Sequence, residues 1–159
     1  MATAHKNLSD YNKKELPDAT HLKIGLVVSD WNNNITENLY QGAKETLLDC
    51  GVKRENILRL NVPGSFELVF GAKKMSETTF VDAIIVIGCV IQGETKHFDF
   101  VCQGVTNGVA QLNLSLKIPV IFCVLTDNHL QQSIDRSGGK HGNKGSEAAV
   151  AAIKMATLG

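Results

Sequence analysis

The run Asp82-Ala83-Ile84-Ile85-Val86-Ile87 does most to limit what this chain can fold into. After its first residue it is wholly apolar and mostly β-branched, which suits a strand buried on both faces. Strands of that kind belong to parallel sheets covered by helices. Next comes Gly88-Cys89-Val90-Ile91-Gln92-Gly93-Glu94-Thr95-Lys96-His97-Phe98-Asp99, read as a glycine-flanked polar loop. Apolar residues then recur at Phe98, Val101, Cys102, Val105, Val109, Leu112 and Leu116, which is helical spacing. Ligands of open α/β sheets bind where strands end and helices begin. This junction offers His97, the Thr95 hydroxyl and the free amides of a helix start, groups suited to anion binding and proton transfer.

The same alternation runs along the chain. Lys23 to Ser29 reads as a first buried strand, followed by the loop Asp30-Trp31-Asn32-Asn33-Asn34. Asn34 with Glu37 resembles a capping box, and Ile35, Leu39, Gly42, Ala43, Leu47 and Cys50 trace one helical face up to Gly51. A second strand spans 56–62, ending at Pro63-Gly64, and Ser65-Phe66-Glu67 opens a helix with Leu68, Val69, Ala72 and Met75 on its apolar face. Ile118 to Leu125 reads as a fourth strand. A short helix carrying Leu130 and Ile134 follows, capped by Thr126 or Asp127. Arg136 to Gly145 is a glycine- and lysine-rich loop before an alanine-rich helix from about Ser146 to Met155. Four strand–helix units and one extra helix predict a parallel sheet with helices on both faces and right-handed crossovers. Residues 1–20 are polar and aperiodic and read as an arm, either disordered or lying on a neighbouring subunit. Residues 21–159 form the single domain.

Composition narrows the function. With 159 residues and lysine plus arginine equal to aspartate plus glutamate at 16 each, there is no basic patch to bind nucleic acid. No apolar run is long enough to span a bilayer, and the N-terminus lacks an apolar signal core, so the expected compartment is the cytoplasm. Cys50, Cys89, Cys102 and Cys123 form no Cys-x-x-Cys pair and read as small apolar residues rather than a metal site. Gly88-x-x-x-x-Gly93-Glu94-Thr95 has a P-loop outline, but Glu94 stands where the lysine should be and would repel phosphates. The first strand lacks a dinucleotide fingerprint and a flavodoxin-type phosphate loop.

Single residues leave alternatives open. His97 fits a surface or capping histidine as well as a proton carrier. Trp31 fits a core plug or a stacking platform. Arg136, Lys140 and Lys144 are either solvated or an anion site. Together, Trp31, Ser65 to Glu67, Cys89 to His97 and Phe122 to Thr126 fall near the carboxyl ends of successive strands. They should line one sheet edge, suited to a polar heteroaromatic compound and a phosphate.

Three motifs carry a resemblance: Val62-Pro63-Gly64-Ser65-Phe66-Glu67-Leu68, the stretch Gly88 to Asp99, and Gly138-Gly139-Lys140-His141-Gly142-Asn143-Lys144-Gly145. In order and spacing they resemble the lumazine synthase family, over about residues 21–157. The resemblance implies a flavodoxin-like three-layer α/β/α sandwich with a four-stranded parallel sheet. It implies condensation of 5-amino-6-(D-ribitylamino)uracil with 3,4-dihydroxy-2-butanone 4-phosphate to 6,7-dimethyl-8-ribityllumazine, with release of phosphate and water and without metal or organic cofactor. By position, His97 matches the proton carrier. Trp31, Ser65, Phe66, Glu67, Cys89, Val90, Ile91 and Phe122 match the uracil-substrate site. Glu94, Thr95 and Arg136 match the phosphate-substrate site, with Lys144 a further candidate. Phe122 and Arg136 match residues that enter from a neighbouring subunit. Cys89 stands where threonine is frequent, Gln92 where arginine is, and Phe98 and Phe100 where tyrosines are common. The resemblance further implies pentamers, a sixty-subunit icosahedral shell, and riboflavin synthase as a candidate partner. A catalytically weak shell protein or a flavin- or lumazine-binding homologue is the alternative reading.

Overall fold

A computed structural model describes residues 7–158. The first six residues of the expected arm, and residue 159, lie outside the described residues. Four strands, β1 (Ile24–Ser29), β2 (Ile57–Val62), β3 (Ala83–Ile91) and β4 (Val120–Asp127), form one parallel sheet in the order β2-β1-β3-β4. Helices α1 (Asn33–Asp49), α2 (Leu68–Thr78), α3 (His97–Ser115), α4 (Leu130–Arg136) and α5 (Lys144–Ala156) complete the sandwich.

Side chains that alternate along the strands divide the interior in two. Leu26, Val28, Ile85 and Ile87 face Leu39 and Leu47 of α1 and Ala149 and Ile153 of α5. Val27, Ile84 and Val86 face Leu68 and Ala72 of α2 and Val105 and Val109 of α3. The central strands β1 and β3 are therefore buried on both faces, as their unbroken apolar runs require. This is the expected three-layer α/β/α arrangement. Helices α1 and α5 meet over small residues, with Gly145 against the Leu39 carbonyl and Gly42 against the Asn143 side chain.

Several local expectations change. β3 does not stop at Ile87: Gly88-Cys89-Val90-Ile91 is strand, not loop, because β4 continues beside it to the pair Ile91–Asp127. The Asn34–Glu37 capping box does not form. Helix α1 starts at Asn33, Asn32 spends its side-chain amide on Cys89, and Glu37 pairs with Arg59. Asp127 is the last residue of β4, and His129 stands at the start of α4. The loop from Arg136 to Gly145 is partly regular. Strands β5 (Ser137–Gly139) and β6 (Gly142–Asn143) make a small antiparallel hairpin, with Gly138 and Gly142 at φ of 115° and 80°, where L side chains are disfavoured. The Asn143 side chain caps Gly145 N–H, so α5 begins at Lys144, earlier than its alanine run suggests.

The described part of the arm lies on its own chain. Leu8 N–H donates to His141 O at 2.8 Å, and Asn143 N–H donates to Ser9 Oγ at 2.9 Å. Tyr11 Oη–H donates to Asp49 Oδ2 at 2.8 Å, and Lys13 Nζ sits 3.2 Å from Asp49 Oδ1. Among the described residues no helix is long and apolar enough to cross a membrane.

Candidate functional site

The sheet is ragged at one edge. β1 accompanies β3 only to the pair Val28–Ile87, while β4 follows it four residues further. The end of β3 thus has a strand on one side only. Gln92 N–H donates to Asp127 O on the β4 side. Alternation along the strand then turns the backbone groups of Cys89 and Ile91 to the open side. There a cleft of about 680 Å³ forms between the β1–α1 loop, the turn before α2, the end of β3 and the first turn of α3.

Each wall has a local cause. Asn32 adopts a left-handed conformation (φ 57°, ψ 46°), which asparagine tolerates better than most residues. Its Nδ2 donates to Cys89 O at 3.0 Å, supplying the partner that β1 no longer provides. Next to it Trp31 N–H donates to Ser29 Oγ at 3.2 Å, and the indole is left 71% exposed. Pro63-Gly64 ends β2, and the turn brings Ser65 over Gly88, where a Cβ would lie 2.6 Å from Ser65 Oγ. Ser65 is 7% exposed, and its hydroxyl has no hydrogen-bond partner among the described residues. Phe66 lies across Gly104 of α3. His97, the first residue of α3, is exposed, and its N–H donates to Thr95 Oγ1 at 3.4 Å.

Nine predicted site residues therefore share one cleft: Trp31, Ser65, Phe66, Glu67, Cys89, Val90, Ile91, Thr95 and His97. Gly64, Gly93, Phe98, Phe100 and Val101 also line it. The last three were legible as the residues one helical turn around His97. Asn32 had no local signal, because its partner is 57 residues away. Four predicted residues do not line this cleft. Glu94 is exposed beyond it. Phe122 is half-buried on β4 against the α2–α3 side of the core. Arg136, the last residue of α4, donates from Nη1 to Gln132 O at 3.1 Å. Lys144 Nζ pairs with Glu147 Oε1 at 2.9 Å.

The cleft can stack a flat ring on Trp31, present backbone donors and acceptors to its edge, hydrogen-bond hydroxyls at Ser65 and Glu67, and carry protons at His97. It offers no thiol nucleophile. Burial pushes the Cys89 thiol up to about 11, with a nearby Asp127 charge adding to the shift against the Ser133 hydrogen bond. Among the described residues no three His, Cys, Asp or Glu side chains stand together as a metal-binding group.

Comparison with known proteins decides the family. The family model for 6,7-dimethyl-8-ribityllumazine synthase matches residues 21–159. The chain belongs to the 6,7-dimethyl-8-ribityllumazine synthase family. It is 68% identical to the enzyme of that name from Flavobacterium johnsoniae over 158 residues, covering 99% of this chain and 83% of that one. The Christiangramia forsetii protein of the same name is 61% identical over 159 residues (99% and 95%). That from Parabacteroides distasonis is 59% identical over 155 residues (98% and 97%). The lumazine synthase match thus takes in every element that builds the cleft.

Proposed function

We propose that this cleft is where the chain condenses 5-amino-6-(D-ribitylamino)uracil with 3,4-dihydroxy-2-butanone 4-phosphate to 6,7-dimethyl-8-ribityllumazine, releasing phosphate and water. Family membership supports the reaction. The observation that carries the site is the pairing of an uncovered indole with a buried hydroxyl that has no partner among the described residues. An orphaned buried hydroxyl costs about 1–3 kcal/mol, and a substrate hydroxyl against Ser65 would recover it. In this reading Trp31 stacks on the pyrimidine, and the end of β3 at Cys89, Val90 and Ile91 meets its edge, with the backbone groups of Cys89 and Ile91 turned toward it. Phe66 closes the side, while Ser65 and Glu67 hold the ribityl chain.

His97 takes a proton from the attacking amine and returns one to the departing water, at the mouth beside Thr95. Glu94 and Thr95 border the butanone phosphate. Arg136 and Phe122, which do not line their own chain's cleft, would complete the site of an adjacent copy, Arg136 at the phosphate. Lys144 stands at the same subunit junction with its charge held by Glu147. The assembly is a pentamer that closes into a sixty-subunit shell, in the cytoplasm, where riboflavin synthase would consume the product.

A steady-state assay tests the reading. Both substrates are mixed with the protein, and lumazine fluorescence and released phosphate are followed together. Matched appearance above the spontaneous background is expected. Binding of the uracil without acceleration would replace this reading with that of a lumazine- or flavin-binding protein.

A further inference from the structure

The end of β3 is held by more than the sheet. Cys89 is 1% exposed and Ser133 is fully buried. The Cys89 thiol donates to Ser133 Oγ at 3.4 Å, and Ser133 Oγ–H donates to Asp127 Oδ2 at 2.8 Å. A carboxylate only accepts, so the hydroxyl must point to Asp127 and turn its lone pairs to the thiol. The chain therefore has one direction. Its other end is the Cys89 carbonyl, which takes the Asn32 amide at 3.0 Å. Three hydrogen bonds join the β1–α1 loop, the end of β3, α4 and the end of β4 at the place where β3 has lost one of its neighbouring strands.

We propose that Ser133 and Asp127 are positioning residues for the pyrimidine side of the cleft, acting through the Cys89 side chain. The claim rests on the reading of the cleft given above. Cys89 presents its backbone to the cleft and its side chain to α4. A thiol anchored behind the strand fixes the rotation of that peptide. Fixing the peptide sets both the cleft-facing groups of Cys89 to Ile91 and, through Asn32, the loop that carries Trp31. Charge on Asp127 orders the hydroxyl but touches no substrate. A merely structural tie would hold α4 on the sheet and show itself in stability alone.

A double-mutant cycle between Asp127→Ala and Cys89→Ala separates these cases. The readouts are the Kd of the ribitylaminouracil by quenching of Trp31, the only tryptophan, the KM of each substrate, and the thermal midpoint. Each single variant should raise the uracil Kd and KM by about threefold to tenfold, with the phosphate-substrate KM little changed, and the double variant no further than the larger single. Asp127→Asn, whose amide oxygen still accepts from Ser133, should return Kd to within about twofold of the unmodified protein. Fully multiplicative effects would overturn the link through Cys89. A lowered thermal midpoint with unchanged Kd would make the tie structural only. If Asp127→Ala does not fold, Ser133→Ala combined with Asp127→Asn removes the hydroxyl and the buried charge together and carries the same cycle. Trp31 quenching without turnover in the unmodified protein would overturn the proposed reaction and leave this link to be judged on Kd. Absence of both would overturn both.

Discussion

Three side chains of the proposed site separate by what they would cost. Trp31 is held by its backbone rather than by packing, so Trp31→Ala should leave the thermal midpoint nearly unchanged. Loss of ring stacking should weaken uracil binding by about 0.5–1.5 kcal/mol, measured by calorimetry since the fluorophore is gone. An unfolded Trp31→Ala would mean that the indole is a core plug after all. His97→Ala should slow turnover by about 10²-fold or less, the lower range of general acid–base help, because imine chemistry between a held amine and ketone draws mainly on proximity. A loss far beyond 10⁴-fold would give His97 more than a proton to carry. Arg136→Ala should raise the KM for the butanone phosphate by the equivalent of about 1.5–3 kcal/mol, the worth of a hydrogen bond to a charged group, and leave the uracil KM nearly alone. Equal weakening of both substrates would remove Arg136 from the phosphate.

The elements that set these residues in place depend on close contacts that can be probed one at a time. Gly145 is the second residue of α5 and is buried against α1, where a Cβ would run into the Leu39 carbonyl. Backbone cannot step aside as a side-chain tip can. Gly145→Ala should therefore lose about 1–3 kcal/mol by overpacking, although alanine favours a helix. The check is a lower denaturation midpoint with unchanged slope, at fixed protein concentration. The four strands of the main sheet were legible in the sequence because β1, β3 and β4 are short apolar runs between turn residues and β2 interleaves Arg59 and Asn61 with apolar residues, as an edge strand can. So was the gathering of nine predicted site residues in one cleft, since they sit where strands end. Most of what could not be read depends on partners distant in sequence. The last turn of β3 looks like a loop because Gly88 and Gln92 bracket it, yet β4 defines it as strand. Asn32 and Ser133 find their partner Cys89 across the fold, and Asp127 joins them only through Ser133. Asn32 and Ser133 lie 57 and 44 residues from Cys89. The hairpin of β5 and β6 is too short to show a period, and glycines at positive φ mark it only as a turn.

On the scale of the whole molecule, helix α3 leaves a stripe uncovered. Phe100, Gln103, Asn107, Ala110 and Leu114 follow one another at helical spacing and are all exposed, Leu114 by 89%. Apolar side chains such as Phe100, Phe70 and Leu114 are costly to leave in water, which supports the proposed assembly. Sedimentation across pH and phosphate should give a sixty-subunit mass, and pentamers alone under all conditions would remove the shell. A sharper question is whether Arg136 serves its own chain or the next. Residues acting across a repeated interface allow two damaged copies to repair each other. His97→Ala and Arg136→Ala chains, co-assembled at equal amounts and assayed with the butanone phosphate well below its KM, should regain about a quarter of wild-type activity, because a quarter of the junctions then pair an intact His97 with an intact Arg136. If both residues act within one chain, no mixed junction is intact. The mixture would then show only the mean of the two variants. That result would return Arg136 to its own subunit and leave the exposed apolar side chains of α2 and α3 to support assembly.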